Sequence, residues 1–158
     1  MKLLVTGALG MLGHDLVHEL ASGGHLVTAT DVASPSACLD ITNPLALRAC
    51  LLKEKPRWVV NCAAFTKVDA CEEQEELATR INGDAPGYMA DVCADLGIRL
   101  AHISTDYVFD GTKSGPYHED DPTNPINAYG RSKLKGETAI TGRMDDYLII
   151  RTQWLFGL

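Results

Sequence analysis

The sequence has 158 residues, of which 46% are hydrophobic and 22% are charged. This length and composition predict one sizeable core, and therefore a single domain over residues 1–158. The formal net charge is −7 at pH 7, so neither a nucleic-acid backbone nor an anionic membrane surface is expected as a partner. No apolar run approaches the roughly 20 residues that cross a bilayer, and the N-terminus lacks a signal-peptide pattern, so we expect a cytoplasmic protein.

The first twenty residues predict a strand, a glycine turn and a helix. Leu3–Val5 is a continuous apolar run, typical of a strand that is covered on both faces. Gly7, Gly10 and Gly13 follow at three-residue intervals. Such glycines allow a sharp turn, close approach of backbone N–H groups to a pyrophosphate, and close packing of the helix. The stretch therefore predicts dinucleotide binding, with a turn that only packs the helix as the alternative.

The cysteines and histidines do not predict a metal site. The five cysteines are odd in number and never form C-x-x-C, which favours reduced thiols. His14 and His18 lie four residues apart, close to the H-E-x-x-H pattern, but Asp15 stands where that pattern has Glu. A solvated helix face explains these histidines better than metal ligation.

The second strand is predicted over 25–31 and ends in an acid. Asp31 lies about 20 residues beyond the glycine turn, where a carboxylate accepts hydrogen bonds from an adenosine ribose. An acid there favours NAD, and a turn residue at the strand end is the alternative. Asp40 and Ile41 lie before a helix that Asn43 is predicted to cap, and they are candidates to pair with and cover an adenine ring.

Strands and helices alternate through the rest of the chain, which predicts a parallel sheet with helices on both faces. A third strand is predicted over 56–61, a helix over 82–96 that Gly97 closes, a fourth strand over 98–103 and a fifth over 146–152. We interpret the acidic stretch 71–78 as a solvated helix. The run of small residues over 62–66 and the hydroxyl of Thr105 follow strands three and four, at the edge where such sheets bind ligands.

Tyr129 and Lys133 are four residues apart on a predicted helix and therefore share one face. An ammonium beside the phenol would draw the pKa of Tyr129 down from about 10, toward proton exchange at neutral pH. An ordinary helix surface is the alternative, but the glycine turn upstream and Thr105 nearby favour the catalytic interpretation.

Three motifs, T-G-A-L-G-M-L-G, S-T-D-Y-V-F-D-G and Y-G-R-S-K, make the chain resemble the extended short-chain dehydrogenase/reductases, and within them the dTDP-4-dehydrorhamnose reductase family. The resemblance implies an α/β fold with a Rossmann-like doubly wound parallel sheet. It also implies NADPH- or NADH-dependent reduction of the C4 ketone of dTDP-4-dehydro-L-rhamnose to dTDP-L-rhamnose, for cell-envelope polysaccharide. Members run to nearly twice this length, so we expect a fold truncated before most of the C-terminal substrate lobe, and no complete catalyst in this chain alone.

The resemblance also implies site residues. Tyr129 would protonate the ketone oxygen, Thr105 would hydrogen-bond it, and Lys133 would hold the nicotinamide ribose and lower the pKa of Tyr129. Thr105, Asp106 and Trp154 would contact the dTDP-sugar. The coenzyme would contact Gly7, Gly10, Met11, Leu12, Gly13, Asp31, Asp40, Ile41, Ala63, Ala64, Phe65, Thr66, Tyr129 and Lys133.

Some features stay open at this point. Members of the family often carry magnesium, but here only Asp15 could supply a ligand and no complete site is expected. A homodimer is compatible with the resemblance.

The sequence does not decide between NADH and NADPH as the coenzyme. The alternatives are a sugar-nucleotide epimerase or dehydratase, although Asp106 and Tyr107 do not form the Asp-Glu pair of a dehydratase, and a coenzyme-binding subunit resembling the regulatory β subunit of methionine adenosyltransferase.

Overall fold

The computed structural model describes residues 1–156 and is built on one five-stranded parallel sheet. The strand order is β2-β1-β3-β4-β5. Val5 of β1 lies opposite Ala29 of β2 on one side and opposite Val60 of β3 on the other. The predicted parallel sheet is confirmed, and its strands are β1 (Lys2–Thr6), β2 (Leu26–Thr30), β3 (Trp58–Asn61), β4 (Arg99–Thr105) and β5 (Tyr147–Thr152).

Six α-helices lie within residues 1–156, and two of their ends follow the predicted signals. The Asn43 side chain accepts hydrogen bonds from the backbone N–H groups of Leu45 and Ala46, both at 3.1 Å, and so caps α2. Gly97 ends α5 in the left-handed conformation, with φ of 64°. The helices are α1 (Met11–Ser22), α2 (Pro44–Glu54), α3 (Val68–Glu73), α4 (Glu75–Ala78), α5 (Ala85–Leu96) and α6 (Ala128–Thr141).

Both faces of the sheet are buried. On one face, Leu16, Val17 and Leu20 of α1 pack against a cluster that includes Leu3 and Val5. On the other face, α2, α5 and α6 pack together with the buried residues Leu4, Leu47, Val59, Met89, Leu100 and Ile140. Burial on both sides explains why the strands read as continuous apolar runs. Connections leave β1 and β3 in opposite directions, which opens a crevice at the carboxyl ends of these two strands.

The helix predicted over 82–96 corresponds to α5, which begins later than expected, at Ala85, and follows a π-helical segment. A π-helical segment, Thr79–Asp84, joins α4 to α5. Asn82 within it is buried, accepts a hydrogen bond from Phe65 N at 2.8 Å, and donates to Phe65 O at 2.9 Å and Ser132 Oγ at 3.0 Å. The segment therefore ties the loop after β3 to α6. Periodicity alone did not predict it, because its function depends on partners far away in the sequence.

The acidic stretch 71–78 does more than remain solvated. Glu72 accepts a hydrogen bond from the backbone N–H of Ala128 at 2.6 Å, and Glu75 forms an ion pair with Arg131 at 3.0 Å. These contacts anchor the first turn of α6. Within residues 1–156, no helix is both long and apolar enough to cross a lipid bilayer.

Candidate functional site

The glycine turn after β1 is tightly packed. Gly7 has φ of +68°, a conformation that favours glycine, and a Cβ there would lie 2.6 Å from the backbone nitrogen of Ala63. A Cβ on Gly13 would overlap the carbonyl oxygen of Gly7. The first turn of α1 therefore lies directly against the turn that precedes it, as the glycine spacing predicts.

The N-terminus of α1 is suited to an anion. The N–H of Gly10 bonds to Gly7 O at 3.1 Å, and the N–H of His14 bonds to Gly10 O at 2.9 Å. Between them, the N–H groups of 11–13 have no backbone or side-chain acceptor among residues 1–156. Such N–H groups, combined with the helix dipole, are suited to bind an anion, and the same three residues line a cavity together with Gly7 and Gly10.

Two adjoining cavities run along the carboxyl edge of the sheet. One, of about 340 Å³, is lined by residues that include Asp31, Asp40 and Ile41. The other, of about 410 Å³, is lined by residues that include Thr105, Asp106, Tyr129, Lys133 and Trp154. Both include Gly7, Gly10, Cys62 and Ala64, so they form one continuous depression that we call the sheet-edge groove. The glycine turn lies at its middle.

Acidic residues and one arginine form the Asp31 end of the groove. The Asp31 carboxylate accepts hydrogen bonds from Leu9 N at 3.1 Å and Ala33 N at 2.9 Å, so it does shape the turn at the strand end. Its oxygens retain lone pairs for a ribose hydroxyl. Asp40 accepts from the backbone and hydroxyl of Thr42 at 2.9 and 2.8 Å. Arg80, which the sequence did not single out, lines the same cavity and is exposed.

Thr105 and Tyr129 lie at the other end, held by two elements. The Thr105 hydroxyl donates to Asp106 Oδ1 at 3.1 Å and accepts from Tyr107 N at 3.2 Å. The ring of Tyr129 packs edge-on against Tyr107, with 5.7 Å between ring centroids. A Cβ on Gly130 would overlap the carbonyl oxygen of Tyr107, so glycine there lets α6 approach the 3-10 turn over 106–108 closely.

The expected lowering of the Tyr129 pKa is wrong in direction. Burial raises the pKa of Tyr129 above its ordinary value of 10.0; hydrogen bonding to Thr105 opposes the rise, while the charge of Asp106 adds to it. Lys133 does not reverse the shift, because its amine bonds elsewhere. At neutral pH the phenol of Tyr129 is therefore protonated and able to donate.

Lys133 is 1% exposed, yet it is one of the residues that line the groove. Its Nζ donates to Ile103 O at 2.6 Å and lies 3.2 Å from His102 Nε2. Burial lowers the pKa of Lys133 to about 8, an effect that the charge of Glu137 opposes. A lysine with this pKa is still mostly an ammonium at neutral pH, but its charge does not offset the effect of burial on the pKa of Tyr129.

Most of the remaining predicted site residues line the groove, but Phe65 does not. Ala63, Ala64 and Thr66 line the groove. Phe65 packs instead in a separate apolar cluster with Cys71, Ala78, Ala128 and Tyr129. Trp154 lines the groove but is 81% exposed, with φ of 50°. A wider cavity of about 740 Å³, lined by residues that include Tyr117, Arg151 and Trp154, adjoins this end.

The residues that the structure describes do not fit a metal ion. No group of three or more His, Cys, Asp or Glu side chains within 1–156 is placed to hold one. Asp15 is exposed and bonds to the ring of its neighbour His14 at 3.2 Å, while His18 lies 3.7 Å from Glu19. The described residues therefore offer magnesium no site.

The strand order, the glycine turn and the groove at the switch point together define a Rossmann-like domain of the nucleotide-binding class. The chain belongs to the family described as the RmlD substrate binding domain, whose model matches residues 1–158.

Individual relatives agree with this family. The chain is 48% identical over 155 residues to dTDP-4-keto-6-deoxy-D-glucose reductase of Streptomyces niveus, covering 98% of the chain and 52% of the relative. It is 47% identical over 158 residues to dTDP-4-dehydrorhamnose reductase of Burkholderia thailandensis, covering 99% and 51%. The crystal structure of dTDP-4-dehydrorhamnose reductase from Bacillus anthracis in complex with NADP is 36% identical, with a TM-score of 0.92 over 98% of the chain and 54% of the other. The chain thus spans about half the length of the relatives it matches.

Proposed function

We propose that the chain forms the coenzyme-binding part of an NAD(P)H-dependent reductase that converts the C4 ketone of dTDP-4-dehydro-L-rhamnose into the alcohol of dTDP-L-rhamnose. One observation carries the proposal: a single groove joins the free N–H groups at the start of α1 to Thr105, Tyr129 and Lys133. The names of the relatives support a dTDP-sugar as the substrate.

The residues present fit a nicotinamide dinucleotide. The N–H groups of 11–13 would hold its pyrophosphate, because they lack other acceptors and Gly10 leaves room for close approach. Asp31 would accept hydrogen bonds from the adenosine ribose, and Asp40 and Ile41 would contact the adenine. Ala64 and Thr66 would lie beside the coenzyme. When bound, the reduced nicotinamide would supply the hydride.

Tyr129 is the acid in this proposal. Negative charge develops on the ketone oxygen as the carbonyl is reduced, and a protonated phenol can deliver a proton there. The raised pKa of Tyr129 keeps that proton on the phenol until the oxygen becomes basic. Thr105 would hydrogen-bond the same oxygen after its hydroxyl turns away from Asp106, and such a donor stabilises developing charge.

The arginine at the other end bears on coenzyme choice. Asp31 already accepts two backbone hydrogen bonds, which partly satisfy its charge. Arg80 lines the same cavity and offers a cation to the 2′-phosphate of NADPH. We therefore propose that the site accepts NADPH as well as NADH, although Asp31 alone would favour NADH.

Location and assembly complete the proposal. Five free cysteines suit a reducing compartment, so we place the reaction in the cytoplasm. We also propose a homodimer, which light scattering on the purified protein tests.

The test is NADPH oxidation with dTDP-4-dehydro-L-rhamnose as the substrate, measured on the complete natural protein. Oxidation that depends on the dTDP-sugar supports the reductase. Coenzyme binding without any turnover would favour a regulatory subunit, and interconversion of dTDP-sugars without net NADPH consumption would favour an epimerase or dehydratase. Either outcome contradicts the proposal.

A further inference from the structure

A buried polar chain lies behind Lys133, and the proposed reaction does not use it. It crosses three strands of the sheet: Thr6 on β1, Asn61 on β3 and His102 on β4. Each of these residues is 1% exposed, as is Lys133 on α6. Buried polar groups need hydrogen-bond partners, and here they find them in one another. The donor and the acceptor of every hydrogen bond in this polar chain can therefore be assigned.

The amide of Asn61 is oriented by its neighbours. Asn61 Oδ1 lies 3.2 Å from the backbone N–H of Ala63 and accepts from Thr6 Oγ1 at 2.7 Å. The N–H of Ala63 can only donate, so the oxygen of the amide must face it. The amide nitrogen of Asn61 therefore faces His102 Nδ1, at 3.0 Å.

This orientation fixes the tautomer of His102. Asn61 Nδ2 donates to Nδ1, so Nδ1 must carry a lone pair. Burial, with the charge of Lys133 as a second cause, holds the pKa of His102 well below its usual range, so the ring is neutral. The single ring proton therefore lies on Nε2, which faces Lys133 Nζ at 3.2 Å.

The proton on His102 Nε2 decides which protonation state of Lys133 is favoured. An ammonium has three donors and no acceptor, so it would meet the ring N–H donor to donor. A neutral amine has a lone pair that accepts the ring N–H while its own N–H donates to Ile103 O, 2.6 Å away. Reversing the chain would require turning the Asn61 amide, which would set its NH₂ against the N–H of Ala63.

We propose that Asn61 and His102 are positioning residues for Lys133: their hydrogen bonds present a ring N–H to its amine, favour the neutral form, and make Lys133 a group that exchanges protons. When the Lys133 ammonium deprotonates, it releases one of its three protons to water in the groove. The inference deepens the proposed function, since it concerns a residue of that site, but it describes the protein without coenzyme or substrate.

The other charged or titratable groups near Lys133 do not cancel this effect. Glu137 on α6 favours the ammonium, but its carboxylate is paired with Arg151 of β5 at 2.6 and 3.1 Å and accepts a hydrogen bond from Ser104. Cys62, after β3, has a pKa raised to about 11 by burial, so it is a neutral thiol at neutral pH. Tyr129 and Asp106 complete this end of the groove, and Tyr129 is also neutral.

The first test needs no variant. Long-range proton–nitrogen NMR correlation on the coenzyme-free chain reports which ring nitrogen of His102 carries the proton, and carbon-13 NMR of the lysine side chains reports the titration of Lys133. We expect the Nε2–H tautomer and a Lys133 midpoint below that of the exposed lysines. An Nδ1–H tautomer, or a Lys133 that titrates with the exposed lysines, would overturn the inference.

Two substitutions then reverse the direction of the hydrogen bonds in the polar chain. Asn61→Asp lets one carboxylate accept from both Ala63 N–H and a proton on His102 Nδ1, which turns a lone pair toward Lys133. His102→Gln can turn a carbonyl toward the amine without adding a charge. Each should raise the proton affinity of Lys133 about tenfold.

The matched control is Thr6→Val. It removes a buried hydrogen bond to the same Asn61 oxygen but leaves the N–H of Ala63 to orient the amide, so the titration of Lys133 should not move. A purely structural role predicts lower thermal stability in all three variants with no change in titration. That result, or an equal change in the Thr6→Val control, would contradict the inference even if the reductase assignment holds.

Discussion

The two ends of the sheet-edge groove are built in different ways. Around Gly7, Gly10 and Gly13, the groove is formed by backbone, and the features suited to an anion are the N–H groups of 11–13, which have no acceptor among residues 1–156. At Thr105, Tyr129 and Lys133, it is formed by side chains, and the side chain of Lys133 is held by a buried network that crosses three strands. A backbone site tolerates many side chains but no added Cβ, whereas a side-chain site depends on individual atoms. Substitutions at the two ends should therefore fail differently.

The largest effect is expected at the side-chain end. Tyr129→Phe removes one hydroxyl and leaves the glycine turn intact, so turnover of the complete protein should fall by about 10²–10⁴-fold. The coenzyme affinity should stay within about threefold, since most of the proposed coenzyme contacts are elsewhere. Steady-state kinetics and a coenzyme titration measure the two quantities. Undiminished turnover would refute Tyr129 as the acid.

A substitution at the backbone end should act mainly on coenzyme affinity. Gly13→Ala introduces a Cβ that overlaps the Gly7 carbonyl oxygen, so the turn must shift away from the position proposed to bind the pyrophosphate. We expect NADPH affinity to fall by more than about tenfold and stability by about 1–3 kcal/mol. Gly115→Ala is the matched control, because nothing lies within 4 Å of its added Cβ. Equal effects of the two substitutions in a fluorescence titration would show that the packing argument is wrong.

The buried Lys133, at the side-chain end, should make the stability of the fold depend on pH. Lys133 has a pKa of about 8 in the fold and an ordinary value of 10.5 when unfolded, so the fold carries a cost for burying its charge below pH 8. That cost is relieved as the pH rises from about 8 to 10.5. Relative to Lys133→Met, the protein should gain about 2 kcal/mol of stability between pH 7 and 9.5.

Urea unfolding of both proteins at the two pH values measures this difference. The comparison cancels the cysteines, which both proteins share and whose raised pKa values act in the opposite direction. A pH-independent difference would mean that Lys133 titrates alike in the folded and unfolded states.

The smallest effect is expected at Arg80. Because its side chain is exposed, Arg80→Ala should weaken NADPH by only about fivefold and leave NADH unchanged. Arg57→Ala, away from the groove, is the control. Competition titrations with both coenzymes separate the outcomes, and an equal loss for NADPH and NADH would contradict a contact with the 2′-phosphate.

The same contrast explains how much the sequence could predict. The glycine turn, the Asn43 cap and the Gly97 stop are local signals, since each residue acts on neighbours within a few positions. The parallel pairing of the strands followed from the alternation of strands and helices. These features were predicted close to their observed positions because local backbone geometry determines them.

The network at Lys133 could not be predicted in the same way. Asn61 and His102 are 41 residues apart, and His102 and Lys133 are 31 apart. The spacing of Tyr129 and Lys133 placed both on one helix face, but it did not reveal that the amine turns to Ile103 and His102. The pKa of Tyr129 was therefore predicted in the wrong direction. Arg80 lacked any local pattern, since only the fold brings it to Asp31.

The most direct test of the central claim is an NMR titration of the nitrogen-15-labelled chain with NADPH. The account predicts that the backbone amides of Met11, Leu12 and Gly13 show the largest chemical-shift changes, with smaller changes at Thr105 and Lys133, at a stoichiometry of one coenzyme per chain. Binding that leaves the three amides unchanged, or no binding at millimolar NADPH, would contradict it.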